Sequence, residues 1–307
     1  MKAVYFERTG GPEVLRYGDL TAPQAGPGGV LVAVRAASVN GVDWRIRAGR
    51  YKPIRDYPYV LGRDFSGIVE AVGAGVDERL IGSPVFGVCE TTDDGAYAEK
   101  VAIQRGNVTL KPDWLSHEEA AAIALIGLTA VVSVEETLAL RSGERVLIQG
   151  GAGGVGGIAI QLAKHLGAHV VTTASPANHA YLRSLGADEV IDYHSQDFSA
   201  CVSGCDAVLD TVGGDVAERS FAVLRPGGRA AFIASGPTAP RPTWEDVVAL
   251  RPQVARDARH LRRMLQLVES GAVKIPEIAV YRLEEAAKAH VVSESRHLRG
   301  KLVLRVG

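Results

Sequence analysis

The stretch Gln149-Gly150-Gly151-Ala152-Gly153-Gly154-Val155-Gly156-Gly157 packs six glycines into nine positions. A run so poor in side chains is either a flexible linker or a place where backbone must approach something closely. Its flanks decide. Upstream, Val146, Leu147 and Ile148 form the short apolar run of a strand buried on both faces. Downstream, Ile158, Ile160, Leu162, Ala163 and Leu166 recur at helical spacing, and Gly167 supplies a stop. The glycines therefore form a strand-to-helix turn, with the helix expected from Gly156.

Within the turn, Gly151, Gly153 and Gly156 fit G-x-G-x-x-G. That pattern serves a tight turn, close approach of backbone to a pyrophosphate, and a helix packed hard against its strand. Backbone N–H groups and the helix dipole then hold phosphate. A second strand follows in Ala168–Ser175, so the segment Gly151, Ala152, Gly153, Gly154, Val155 and Gly156 is expected to hold a dinucleotide. The alternative is a glycine-rich turn of purely structural purpose.

Bulk properties narrow the class. The chain has 307 residues, 47% hydrophobic and 22% charged, which suits a globular protein of about two domains. A formal charge of −1 with dispersed arginines gives no footprint for nucleic acid or an anionic membrane. The start MKAVYFER lacks an apolar leader, and no apolar run is expected to approach a membrane span, so the expectation is a cytoplasmic protein. Cys89, Cys201 and Cys205 make neither a disulfide framework nor a zinc cluster and are read as free thiols.

Along the chain, short strands separated by glycine, proline and acidic turns fill the first third: KAVYF, GGVLVAVRAASV, GIVEAVG and YAEKVAI. From Ser116, a plausible N-cap, the signal turns helical. Strands and helices then alternate through GRAAFIA, the pattern of a parallel, doubly wound sheet. The stretch from Thr243 to Ser270 reads as helix interrupted at Pro252, and the end returns to strand. The layout expected is an α/β chain: a doubly wound sheet at 119–273 inserted in a β-rich domain formed by 1–118 and 274–307.

That order resembles the medium-chain dehydrogenase/reductase superfamily, and within it the zinc-free, zeta-crystallin-like NADPH:quinone oxidoreductases. The resemblance rests on SVNGVDWRIRAGRY, PYVLGRDFSGIVEAVGAGV, GAYAEKVAI, GLTAVVSV, the glycine turn, SLGADEVIDY, LDTVGG and RGKLVLRV, in sequence. It implies a GroES-like catalytic domain around a Rossmann domain, a small-molecule quinone or enone as substrate, and a homodimer. Zinc-dependent members place ligands where this chain has Asn40, Arg63 with Asp64, and Ala122. Of these only Asp64 is a plausible zinc ligand, so no metal is expected. Without a Lewis acid, the chemistry implied is reduction of an electron-poor acceptor, with the protein supplying orientation and hydrogen bonds.

An NAD site carries an acid about 20 positions after the glycine turn; nineteen residues past Gly156 stands Ser175, which favours NADPH. The resemblance adds Tyr193 and Arg296 near the 2′-phosphate, with His179 and Arg183 as further candidates. It places Asn40 and Thr129 at the nicotinamide and substrate pocket and Tyr51 at the acceptor; Val212, with Gly213 and Gly214, falls just beyond the fourth strand, on the ligand-binding edge of such a sheet, the two glycines serving equally well as plain turn residues. The loops Pro53–Pro58 and 236–256 are expected to shape that pocket. Two rival functions stay open. One is an enoyl-thioester reductase, for which Arg45, Arg47 and Arg50 offer a basic entrance; the other is an NADPH-binding sensor or structural protein with little turnover.

Overall fold

The structure is a computed structural model that describes every residue except Lys52, Pro53, Arg55, Thr91, Thr92, Asp93, Pro237 and Thr243. Pro53, Arg55, Pro237 and Thr243, in the two loops expected to shape a pocket, thus lie outside the described residues. The chain divides into two units. Met1–Leu125, Arg256–Arg262 and Glu277–Gly307 form one, and Ile126–Ala255 with Arg263–Pro276 form the other.

The first unit is built on the eleven-residue strand Gly29–Val39. Its apolar side chains pack into a core with Phe6, Phe65, Leu61 and Tyr97. One edge pairs antiparallel with Asp64–Val72, and the other is shared by Lys100–Gln104 and the closing strand Lys301–Arg305. The full sheet runs Ile278–Arg282, Lys301–Arg305, Gly29–Val39, Asp64–Val72, Pro84–Val88, Val108–Leu110. The register Leu302↔Val39 sets Lys301 beside Asn40, although 261 positions separate them in sequence. A smaller sheet joins Arg16–Asp19, Lys2–Phe6 and Tyr59–Val60. Arg16–Asp19 and Tyr59–Val60 escape a sequence reading because they are too short or too polar to show alternation.

Among its described residues the second unit holds six parallel strands in the order Glu189–Asp192, His169–Ala174, Arg145–Gln149, Cys205–Asp210, Leu224–Phe232, Val248–Leu250. Numbered within this sheet the order is 3-2-1-4-5-6, the doubly wound arrangement whose switch point lies between the strand before the glycine turn and Cys205–Asp210. Val146, Leu147, Ile148, Val208 and Leu209 are all buried there.

Three expectations need correction. The helix after the glycines spans Gly154–His165, starting two residues earlier than Gly156, because Gly153 with extended backbone (φ −73°, ψ 166°) serves as its N-cap. Within the stretch read as helix, Val248–Leu250 is the sixth strand, and among the described residues only Ala258–Glu269 is helical. Pro252 holds the residue before it extended, and β-branched Val248 suits a sheet edge. Lastly, the helical segment His117–Thr137 is, by length and composition, apolar enough to cross a membrane, with a mean hydropathy of 1.6. Of its most apolar window, 72% is buried inside the protein, as in a core helix. Its start is fixed by a capping box: Ser116 Oγ accepts from the Glu119 N–H at 3.1 Å, and Glu119 accepts from the Ser116 N–H at 2.9 Å.

Candidate active site

The glycine turn leaves the carboxyl end of Arg145–Gln149 and is locked to its neighbour strand. Thr172 Oγ1 donates to the Ile148 carbonyl at 2.6 Å, and the Gly150 N–H donates to Thr173 Oγ1 at 3.2 Å. This packing explains two of the three fingerprint glycines. A Cβ on Gly151 would run into Thr172 Oγ1 and stand 2.9 Å from Ile160 Cδ1. A Cβ on Gly156 would overlap the Gly150 carbonyl and lie 2.8 Å from the Gly151 Cα. Gly153 is different: its nearest neighbour would be the Gly150 carbonyl at 3.5 Å, ordinary contact. Among the described residues nothing forbids a side chain there. Beside Gly153, the N–H groups of Gly154, Val155 and Gly156 lie in the first helical turn without intrahelical acceptors, and no side chain caps that end. A phosphate group fits this cradle, and a Cβ at Gly153 would fill it.

Of the other residues assigned to the nucleotide, Ser175, Tyr193 and Val212 lie along the same sheet edge, whereas Arg296 belongs to the first unit. Ala174 pairs with Asp192, so Ser175 and Tyr193, the next residues of the two strands, emerge side by side. Ser175 Oγ accepts from Asn178 Nδ2 at 3.1 Å, leaving its proton to donate. Tyr193 is 46% exposed and stacks obliquely on His194, with centroids 4.3 Å apart. Asp192, also at this corner, is held below the usual carboxylate range, first by the Ser195 hydroxyl and then by the His194 N–H. Val212 follows Cys205–Asp210, but its N–H and that of Gly213 are already donated to the buried Asp210 carboxylate at 3.0 and 3.1 Å. Thr129 is buried in the helix His117–Val131, at 9% exposure.

In the first unit a buried polar chain surrounds Asn40. Lys301 Nζ donates to the Val39 carbonyl and to Asn40 Oδ1, both at 2.6 Å. Asn40 Nδ2 donates to Asp64 Oδ1 at 2.8 Å, and Ser38 Oγ donates to the same oxygen at 2.7 Å. The Leu125 N–H reaches Asp64 Oδ2 at 3.2 Å. Burial pushes the Asp64 carboxyl up and the Lys301 ammonium down, and each one's charge opposes the other's shift. Asn40 is thus committed at both ends of its amide and only 7% exposed, so it offers a rigid wall rather than a free hydrogen-bonding arm. Asp43 accepts from the Asn40 N–H at 2.8 Å and the Tyr97 hydroxyl at 3.1 Å, and burial pushes its carboxyl up to about 6. Arg63 donates to the Glu90 carbonyl at 2.6 Å and to Tyr59 Oη at 2.7 Å.

Tyr51 is 43% exposed. Arg296 stands over the buried Trp44 ring, Cζ 5.6 Å from its centroid, and Arg45 stands over the same ring at 5.4 Å. Lys301, Trp44 and the clustering of Arg45 with Arg296 escaped the sequence reading. A lysine opening a strand reads as solvated, and only the sheet register reveals its neighbour. Among the described residues no group of three His, Cys, Asp or Glu could hold a metal ion.

A doubly wound sheet with a phosphate cradle at its switch point, in a chain that also builds a β-rich unit with a buried polar site, defines a dehydrogenase-type oxidoreductase of two units. Comparison with known proteins gives the family. Residues 26–113 match the profile described as alcohol dehydrogenase GroES-like domain, and residues 185–304 the one described as zinc-binding dehydrogenase. A quinone oxidoreductase of Pseudomonas aeruginosa is 34% identical, with 99% of each chain covered. The 2-methylene-furan-3-one reductase of Solanum lycopersicum is 33% identical over 99% of this chain and 79% of that protein. Polyketide synthase GfsB of Streptomyces halstedii matches at 35% over 91% of this chain but 5% of its own length. Among solved structures, the quinone oxidoreductase from Coxiella burnetii superposes with a TM-score of 0.92 at 35% identity, covering 100% of this chain and 99% of that one. The Escherichia coli quinone oxidoreductase complexed with NADPH gives 0.89 at 29% identity, covering 99% and 100%. The chain belongs to the medium-chain dehydrogenase/reductase superfamily, in its quinone oxidoreductase branch.

Proposed function

We propose that this protein is an NADPH-dependent reductase of quinones or α,β-unsaturated carbonyl compounds that works without a metal ion. The observation that carries the reading is the buried chain Lys301–Asn40–Asp64. Asn40 and Asp64 stand where zinc-dependent members of the superfamily carry or neighbour their ligands. Here Asp64 Oδ1 already accepts from Ser38 and Asn40, and Asn40 Oδ1 accepts from the Lys301 ammonium. A divalent cation at that place would face a buried positive charge in a medium of low dielectric.

For the cofactor, the N–H groups of Gly154, Val155 and Gly156 hold the pyrophosphate, and Gly153 admits it. Ser175 and Tyr193 receive the adenosine ribose, where the absence of a carboxylate at position 175 leaves room for a 2′-phosphate. NADPH, when bound, supplies the hydride. The chain's own part is orientation: in the first unit Asn40 gives the acceptor a fixed wall and the exposed Tyr51 hydroxyl donates to the oxygen on which negative charge develops, and in the second unit Thr129 contacts the nicotinamide.

A second reading, reduction of an enoyl thioester, is favoured by the similarity to a segment of a polyketide synthase. The deciding test is the initial rate of NADPH and NADH oxidation in the presence of a metal chelator, with a simple benzoquinone, a simple enone and an enoyl-CoA in parallel. Chelator-insensitive, NADPH-selective turnover of quinone or enone is expected. Turnover of the enoyl-CoA alone moves the assignment to the second reading, loss of activity with chelator refutes the metal-free mechanism, and saturable NADPH binding without turnover of any acceptor points to a sensor.

A further inference from the structure

The helix Gly41–Arg47 has seven residues, too few to hold a helix by itself in water. Its N-cap is Asn40, the residue that the proposed function sets against the acceptor. What fixes so short a helix is its packing, and in the first unit four fully buried polar side chains take part: Asp43 and Arg47 from the helix, with Tyr97 and His290 facing them. Arg47, expected at a basic entrance, is instead anchored inside by the Gly10 carbonyl at 3.1 Å and by Glu294 at 2.7 Å.

The hydrogen bonds among these four run in one direction. A guanidinium only donates, so Arg47 Nη1 gives a hydrogen to His290 Nδ1 at 3.2 Å, and the neutral imidazole carries its own proton on Nε2. Nε2 lies 3.4 Å from Tyr97 Oη and donates to it. The hydroxyl, having accepted, donates to Asp43 Oδ2 at 3.1 Å, and the same oxygen accepts from the Asn40 N–H at 2.8 Å. The chain thus leaves the last turn of the short helix at Arg47, crosses the helix Ala286–Glu294 and Tyr97, and returns to the first turn at Asp43. Its links are mounted rigidly. The Tyr97 N–H donates to the Leu61 carbonyl at 2.9 Å, and the Tyr97 carbonyl accepts from the Val4 N–H at 2.7 Å. The ring lies so close to Gly62 that a Cβ there would run into Tyr97 Cδ1, and the His290 ring meets it edge-on, centroids 5.8 Å apart. Polar groups buried so completely cost more than an apolar core of equal volume, and phenylalanine would fill the space of Tyr97 as well. What the hydroxyl adds is direction.

We propose that Tyr97 and His290 are positioning residues for acceptor reduction: with Arg47 they close a clasp on the helix Gly41–Arg47 that holds Asp43 and, through it, the backbone of Asn40. The Asn40 side chain is then presented where Lys301 and Asp64 fix its amide. Neither Tyr97 nor His290 touches the acceptor, since neither has any exposed surface. The inference deepens the proposed function and rests on Asn40 facing the acceptor.

The test combines steady-state kinetics, at a temperature where each protein is folded, with amide hydrogen exchange read by mass spectrometry. It compares wild type with Tyr97→Phe, His290→Leu, His290→Gln and the Tyr97→Phe/His290→Leu double variant. Tyr97→Phe and His290→Leu are each expected to lower kcat for a quinone or enone about tenfold, while the NADPH dissociation constant stays within about twofold. Exchange in residues 40–47 should quicken about tenfold with the strand Gly29–Val39 unchanged. His290→Gln keeps most of kcat, because its amide oxygen accepts from Arg47 while its nitrogen donates to Tyr97. The double variant loses no more than the worse single one, since links in series are lost together. Tyr97→Phe removes only a hydroxyl, so it carries the test even where His290→Leu fails to fold. A network that serves stability alone gives another pattern: a lower Tm, exchange rising throughout the first unit, and unchanged kcat per folded molecule. That pattern, or a folded Tyr97→Phe with kcat and exchange in residues 40–47 within about twofold of wild type, overturns the proposal. Should wild type reduce no acceptor, the acceptor reading falls on its own, and the exchange pattern alone decides whether the clasp holds Asn40.

Discussion

The three fingerprint glycines carry different penalties, and the differences separate folding from binding. Alanine at Gly156 meets backbone that cannot yield, the Gly150 carbonyl and the Gly151 Cα, so Gly156→Ala is expected to lose about 2–3 kcal/mol of stability. Alanine at Gly153 meets nothing closer than 3.5 Å and adopts the extended backbone already present, so Gly153→Ala keeps stability within about 1 kcal/mol. Its NADPH dissociation constant is nevertheless expected to rise tenfold or more, about 1.4 kcal/mol. Urea denaturation and a fluorescence titration on the same samples check both halves. Asp43 supplies a second residue-level prediction. Its folded carboxyl sits at about 6, above the ordinary 3.8, because it is fully buried, and its Oδ1 has no hydrogen-bond partner among the described residues. A raised carboxyl contributes its full stability below the unfolded value and loses it as pH rises through the folded one. Asp43→Asn removes that loss and keeps an acceptor for the Asn40 N–H. Its stability advantage over wild type should therefore grow by about 2 kcal/mol between pH 4 and pH 7, as read by denaturation at each pH. An advantage that shrank with rising pH would reverse the assignment.

At the level of elements, the helices Gly41–Arg47 and Ala286–Glu294 are tied together by Arg47, which reaches Glu294 at 2.7 Å and His290 at 3.2 Å. The Arg47 side chain has no exposure, whereas that of Glu294 is 35% exposed. Removing the carboxylate leaves a guanidinium buried without its counter-charge, so Glu294→Ala is expected to destabilise the protein by about 3 kcal/mol. His290 sharpens the effect. Burial and the Arg47 charge press its imidazole down to about 3, so it is neutral in the fold, and the stability that depends on its neutrality is lost as pH falls below the unfolded value of 6.5. Glu294→Ala should therefore denature at a lower urea midpoint than wild type across pH 5 to 8, without altering NADPH affinity. Elements of this kind mark the limit of what was legible. The glycine turn, its flanking strands and the helix at Ser116 declare themselves through local periodicity and capping. Val248–Leu250 did not, because three residues of edge strand beside a proline carry no period. The pairing of Lys301 with Asn40 was hidden for another reason: it depends on the register of two strands from opposite ends of the chain.

Across the whole molecule, the proposed function assigns each unit its own set of contacts and divides the work between them. The glycine cradle and the Ser175–Tyr193 corner belong to the second unit, while Lys301, Asn40, Asp64 and Tyr51 belong to the first. Replacing Lys301 by methionine keeps its length but removes the ammonium. Asn40 Oδ1 and the Val39 carbonyl then lose their donor, and Asp64 is left as a buried carboxylate without its cation. The wall beside Asn40 loosens while the glycine turn is untouched. Lys301→Met should consequently lower kcat/KM for the acceptor at least tenfold, about 1.4 kcal/mol of transition-state stabilisation, while its NADPH dissociation constant stays within about twofold. Gly153→Ala should do the converse, regaining most of its kcat once NADPH saturates. Adding Asp64→Asn to Lys301→Met removes the orphaned charge, so the double variant should recover stability relative to the single one without recovering kcat. Recovery of both together would mean that Lys301 serves only to balance Asp64, and that the fixed orientation of Asn40 has no part in the reaction.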